Sequence, residues 1–184
     1  MCIRDRQAGL SSRTMPTRHK SQPHRPRARL GAVFFDRDGC LNEDIGFLHE
    51  WDKFRWLPGA IEAVKLVNRA GFRAFVVTNQ SGVARGLYTG AHVDAIYKHM
   101  GLDLARDGAW LDAMRYCPHH PTIGDSGLCR CRKPGPGMVE DLMQAWSIDP
   151  ARAFMVGDRD TDVSAAEAAG IKGITVSYTH LRAH

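Results

Sequence analysis

A chain of 184 residues with 43% apolar side chains has the length and composition of one ordinary globular domain, with enough chain to bury a core. No run of about 18 apolar residues occurs, which excludes a membrane-spanning helix, and the start lacks the pattern of a secretory signal. The formal charge of +5 is unevenly spread: residues 1–30 carry a net +7, and residues 31–184 a net −2.

In chain order, residues 1–30 read as a solvated, disordered leader rich in Arg, Pro, Ser and His. They are expected to bind neither nucleic acid nor membrane. Both ends look foreign. Met1-Cys2-Ile3-Arg4-Asp5 is what a sequencing-library adapter end would encode, and Val176 to His184 resemble its reverse strand, so 177–184 is expected to be an adapter-derived tail. The domain is then 31–176, with a carboxyl end cut short.

Ala32-Val33-Phe34-Phe35 is a continuous apolar run, the pattern of a strand buried on both faces. A polar loop leads to Pro58, which is expected to open a helix with Ile61, Val64 and Val67 on one face; Gly71 closes it. Ala74-Phe75-Val76-Val77 reads as a second buried strand. Thr89 is placed to cap a helix with the stripe Val93, Ile96, Tyr97, Met100 and Leu104. A strand over Leu111–Tyr116, a Cys/His loop over 117–131 and a helix carrying Met138, Val139, Leu142 and Trp146 follow. Then come a strand at Ala153–Val156, a helix from Thr161 or Asp162 to Gly170, and a last strand at Ile174–Val176. This alternation predicts an α/β, three-layer Rossmann-like fold: a mostly parallel sheet with helices on both faces and ligands bound beyond the carboxyl ends of the strands.

The chemistry-bearing residues fall at those strand ends. Asp36 and Asp38 follow the first strand; two carboxylates so close need a compensating charge, and Mg²⁺ with oxygen ligands suits them. Alone, Asp-x-Asp-Gly is as well explained by an acidic turn. Thr78-Asn79-Gln80-Ser81 offers a hydroxyl, amides and N–H groups to an anion after the second strand. Arg132 and Lys133 supply cations before the third helix, and Asp158, Asp160 and Asp162 follow the fourth strand. Together these form a phosphoryl-transfer site, where catalysis is mostly positioning and charge neutralisation.

These four motifs resemble those of the haloacid dehalogenase superfamily of phosphatases. The resemblance implies that Asp36 is the nucleophile and forms an aspartyl phosphate, and that Asp38 is the general acid/base. It also implies that Thr78 and Lys133 hold phosphoryl oxygens, and that Asp36, the backbone carbonyl of Asp38 and Asp158 bind Mg²⁺. Asp162 is expected at a helix start or behind the metal ligands. An aspartate at position 38 favours phosphatase over dehalogenase chemistry. Cys40 departs from the Thr or small aliphatic residue usual there.

Cys117-Pro118-His119 and Cys129-Arg130-Cys131, with nine residues between the pairs, match a closed tetrahedral Zn²⁺ site. His120 could replace His119 on spacing alone; the family pattern favours His119. Such a site would brace the loop that presents Arg132 and Lys133.

The zinc loop narrows the resemblance to the branch acting on heptose bisphosphates and histidinol phosphate, carried by Asn42-Glu43-Asp44-Ile45-Gly46-Phe47-Leu48-His49, Gln80-Ser81-Gly82-Val83-Ala84-Arg85-Gly86 and Cys117-Pro118-His119-His120-Pro121. It implies removal of the 7-phosphate of a heptose bisphosphate, on a lipopolysaccharide or related nucleotide-heptose pathway. Histidinol phosphate or a broader set of sugar phosphates is the alternative substrate, and a non-catalytic zinc-braced phosphate-binding module the alternative of another class. By the same resemblance the loop from Asp44 to Phe47 meets the sugar, Arg132 reads the second phosphate, and Arg159 lies near metal and substrate. With no large insertion there is no cap domain. A cytoplasmic monomer acting on a small sugar bisphosphate is expected.

Overall fold

The computed structural model describes residues 30–124 and 129–177. The expected leader and adapter-derived tail lie outside them, apart from Leu30 and Ser177. Five strands form one all-parallel sheet in the order β3-β2-β1-β4-β5: β1 (Leu30–Phe35), β2 (Arg73–Asn79), β3 (Ala113–Cys117), β4 (Ile148–Gly157) and β5 (Lys172–Thr175). The helices are α1 (Ala60–Arg69), α2 (Gly90–Arg106), α3 (Gly137–Trp146) and α4 (Asp160–Ala168), with a 3₁₀ turn at Trp51–Lys53.

The alternating side chains of the strands separate two cores. Phe34, Phe75, Val77 and Met155 pack with Met138, Val139 and Leu142 of α3 and Ala165 and Ala166 of α4. Phe35, Ala74 and Val76 pack with Val64 of α1 and with Ile96, Met100 and Leu104 of α2. Helices therefore cover both faces, and the near-continuous apolar strands are what two-sided burial requires.

Boundaries shift where local chemistry competes with periodicity. Helix α1 starts at Ala60, not Pro58, because Gly59 takes the N-cap position at φ +80°. Thr89 does cap α2: it pairs reciprocally with His92, which accepts from the Thr89 N–H. Strand β4 begins five residues earlier than its apolar run and passes through Pro150. Leu30 pairs with Ile148 but Ala32 with Ala153, so Pro150 sits in the irregularity, where no ladder donor is needed.

The connectivity decides where a site can form. The chain steps from β1 outward to β2 and β3, then returns to β4 on the other side of β1. The crevice at this reversal opens at the carboxyl end of β1, where Asp36 lies. Residues 36–59 and 80–89, the places where a cap domain would be inserted, hold no α-helix or strand beyond the 3₁₀ turn at Trp51–Lys53.

Candidate active site

Asp36 is buried at the tip of β1, and its Oδ1 accepts from the Arg37 N–H at 2.7 Å. Lys133 reaches it from the loop before α3: Nζ lies 2.8 Å from Asp36 Oδ1, 2.6 Å from Asp162 Oδ1 and 2.9 Å from the Val77 carbonyl. The Val77 carbonyl accepts a hydrogen bond and the two carboxylates are ion-paired, although Asp162 Oδ1 accepts no hydrogen bond, so Lys133 offsets the charge of two carboxylates. Burial lifts the Asp36 carboxyl to about 6 despite the opposing pull of Lys133.

Carboxylate oxygens of Asp36, Asp158 and Asp162 lie within 4.8 Å of one another. Asp158 Oδ1 is buried with no hydrogen-bond partner, which suits a group meant for a cation. Gly39 makes room for it: at φ +81° it carries no Cβ, and one built there would sit 2.3 Å from Asp158 Oδ2. Asp162, although near enough to a metal, is engaged by Lys133 and accepts from the Arg159 N–H at 3.1 Å, the helix-start role expected of it.

The Asp38 carboxylate has partners of its own. Arg37, wholly buried, forks it through Nε and a terminal nitrogen at 2.8–3.2 Å; Asn42 Nδ2 donates to Oδ1 at 3.0 Å and Gln80 Nε2 to Oδ2 at 2.9 Å. Sequence reasoning missed Arg37, Asn42 and Tyr88 as members of the site. Neighbours along the chain do not ordinarily face each other, so spacing carried no sign of the Arg37–Asp38 pair.

Two side chains at the second strand end line the crevice and are also engaged within the protein. Asn79 was expected to face an anion, yet both polar atoms of its side chain hold the Lys133 backbone, Nδ2 donating to the carbonyl and Oδ1 accepting from the N–H, each at 3.0 Å. Gln80 is likewise committed to Asp38, Thr78 and Tyr88. Thr78 and Ser81 keep their expected places in the crevice wall.

The crevice encloses about 410 Å³, lined by Asp36, Asp38, Asp44, Phe47, Thr78, Asn79, Gln80, Ser81, Arg132, Lys133 and Arg159, with Tyr88 and Thr161 among the others. Its floor is acidic and its mouth carries two arginines. Arg159 pairs with Asp44 at 2.6 Å, and Arg132 donates to the His119 carbonyl at 3.1 Å. Phe47 is 45% exposed on the rim beneath the Arg85 guanidinium.

Cys117, His119, Cys129 and Cys131 converge behind Arg132. Cys129 Sγ lies 2.8 Å from Cys131 Sγ, 2.9 Å from His119 Nδ1 and 3.6 Å from Cys117 Sγ, and His119 Nδ1 is 3.4–3.5 Å from the other two sulfurs. A tetrahedral Zn²⁺ site with arms of about 2.0–2.3 Å has edges of about 3.3–3.8 Å, so this donor set fits one ion with slight expansion. His120 points elsewhere, to Arg85 at 2.7 Å. Burial pushes the Cys117 thiol up to about 11 and Cys131 higher still, so a bound cation is what would make them thiolates.

Residues 130–180 match the HAD-hydrolase-like family. A D-glycero-beta-D-manno-heptose-1,7-bisphosphate 7-phosphatase of Rhodopseudomonas palustris is 43% identical over 156 residues, 83% of this chain and 84% of that protein. The chain belongs to the haloacid dehalogenase (HAD)-like phosphatases. The like-named protein of Escherichia coli K12 is also 43% identical, over 76% of this chain and 75% of its own length. Among solved structures, D,D-heptose 1,7-bisphosphate phosphatase from B. bronchiseptica, complexed with magnesium and phosphate, superposes with a TM-score of 0.72 at 38% identity, covering 78% of this chain and 79% of its own. The HAD-like phosphatase is therefore a hydrolase on an α/β scaffold, as its strand-end motifs implied, and no helix among the described residues is long and apolar enough to cross a membrane.

Proposed function

We propose that this enzyme removes the 7-phosphate of D-glycero-D-manno-heptose 1,7-bisphosphate through an aspartyl-phosphate intermediate. The observation that carries the reading is the polarity of the crevice. A buried carboxylate–lysine floor suits one phosphoryl group, and Arg132 and Arg159 at the mouth suit a second phosphate on the same small substrate. The 43% identity to enzymes named for that bisphosphate supports the substrate.

Asp36 attacks phosphorus as Asp38 protonates the leaving alkoxide; Asp38 then takes a proton from the water that splits the acyl phosphate. Thr78 donates to a phosphoryl oxygen, and Lys133 trades a carboxylate for another. Asp36, Asp158 and the Asp38 carbonyl would hold Mg²⁺, which supplies charge neutralisation at the phosphoryl oxygens. Cys117, His119, Cys129 and Cys131 would hold a structural Zn²⁺ that stiffens the segment carrying Arg132 and Lys133. The reading is completed by a monomer acting in the cytoplasm on a soluble sugar phosphate, without nucleic-acid or membrane partners.

Phosphate release from the purified protein, compared across heptose bisphosphate, heptose 7-phosphate and histidinol phosphate with Mg²⁺, tests the proposal. The bisphosphate is expected to have the highest kcat/KM. A higher value for histidinol phosphate would overturn the substrate assignment, and no turnover of any ester would favour a binding module.

A further inference from the structure

Gln80 is only 2% exposed, and its amide joins three other site residues: Nε2 lies 2.9 Å from Asp38 Oδ2 and 3.0 Å from Thr78 Oγ1, and Oε1 lies 2.6 Å from the Tyr88 hydroxyl. The direction of each bond follows from what the groups can do. Asp38 Oδ2 already accepts from Arg37, so the NH₂ of Gln80 is the end that faces it as a further donor. Its carbonyl oxygen then faces Tyr88, whose hydroxyl must donate. Burial raises the Tyr88 phenol above its ordinary range, so it keeps that proton. The Tyr88 ring in turn needs Gly82, where an added Cβ would sit 2.2 Å from ring Cε1 and 2.8 Å from the hydroxyl oxygen.

From this chain of bonds we infer that Tyr88 is a positioning residue for the reaction: acting through Gln80, it fixes the orientation of the Asp38 carboxylate. The inference rests on the reading of Asp38 as acid/base given above. The torsion of a terminal amide is soft and roughly two-fold. Without the Tyr88 donor the amide is held only by its bonds to Asp38 and Thr78, and its carbonyl oxygen is left buried and unpaired. The phenol therefore acts at a distance, by adding one bond to the two that already favour this amide orientation.

Because Asp38 protonates the leaving group, the effect depends on how much that group needs a proton. In single-turnover assays with Mg²⁺, Tyr88→Phe is expected to slow phosphoryl transfer from the heptose bisphosphate about five- to tenfold, the size of one lost hydrogen bond. The burst of p-nitrophenolate from p-nitrophenyl phosphate, a leaving group that departs without a proton, should slow less than twofold. Gln80→Met should show the same selectivity, and adding Tyr88→Phe to it should change nothing further, since both act through one chain. Equal losses on both esters, additive losses in the double variant, or no loss at all would overturn the inference. Asp38→Asn separates the two levels. If it retains turnover of the heptose bisphosphate, the acid/base reading falls and this inference with it. If it is inactive while Tyr88→Phe behaves as wild type, only the positioning role is refuted.

Discussion

The strand-end crevice and the Cys/His loop both gather groups that resist being brought together, and they manage it differently. In the crevice, Lys133 is already planted between Asp36 and Asp162, so part of the negative charge is neutralised by the protein. In the loop the sulfurs meet one another and His119 at 2.8–3.6 Å, with burial holding Cys117 and Cys131 as thiols. The first site has a cation of its own in its frame; the second is a donor set whose spacing fits one ion. Loss of Mg²⁺ should therefore stop turnover and leave the fold intact. Loss of Zn²⁺ should loosen the segment that delivers Lys133 and Arg132.

The largest expected effect breaks the crevice alone. Asp36→Asn should lower kcat by about 10³-fold or more with zinc content unchanged; steady-state rates and metal analysis on one sample check both halves. Next, Cys131→Ser should abolish stoichiometric zinc, lower the Tm, and cost about 10²-fold in kcat/KM, because the displaced loop carries Arg132 and Lys133 of the crevice wall. Asn79→Ala tests the tie between the regions directly. It removes both hydrogen bonds to the Lys133 backbone and should cost about 1–3 kcal/mol in thermal or denaturant unfolding, with about a tenfold loss in kcat/KM and zinc retained.

A smaller effect concerns pH. Burial raises Asp36 to about 6, so the metal-free carboxyl is largely protonated at pH 5 and ionised at pH 7.5. Protons and Mg²⁺ compete for it, so the Tm rise on adding Mg²⁺ should be larger at pH 7.5 than at pH 5. For the metal-free protein, a folded-state value above the unfolded 3.8 means that this group destabilises above pH 6, a penalty relieved as pH falls toward 4. Thermal scans at both pH values, with and without Mg²⁺, measure the difference.

The two regions were not equally legible in the sequence. The order and placement of Asp36, Thr78, Lys133 and Asp158 could be read because each follows or precedes an apolar run of recognisable period, and parallel topology does the rest. The Cys/His cluster could be read from spacing, and the choice of His119 over His120 needed only the family pattern. Partnerships between side chains could not be read. Asn79 and Lys133 are 54 residues apart, and nothing local says that an amide after β2 will hold the backbone before α3 rather than a substrate. Arg37 looked like a spacer between two aspartates, yet it is the largest fully buried polar side chain and is paired with one of them. Tyr88, beyond the second-strand loop, gains its place only because Gly82 leaves room for its ring. Strand β4 was underestimated because Pro150 breaks its pattern, and only the register irregularity against β1 explains why the strand survives it.

The central claim is that Asp36 carries the phosphoryl group. Acid quench within the first turnover of the heptose bisphosphate, followed by peptide mapping, tests it most directly. An acid-stable, base-labile phosphoryl mass is expected on the peptide containing Asp36, absent in Asp36→Asn. A phosphoryl group on any other residue, or Mg²⁺-dependent turnover surviving in Asp36→Asn, would contradict it.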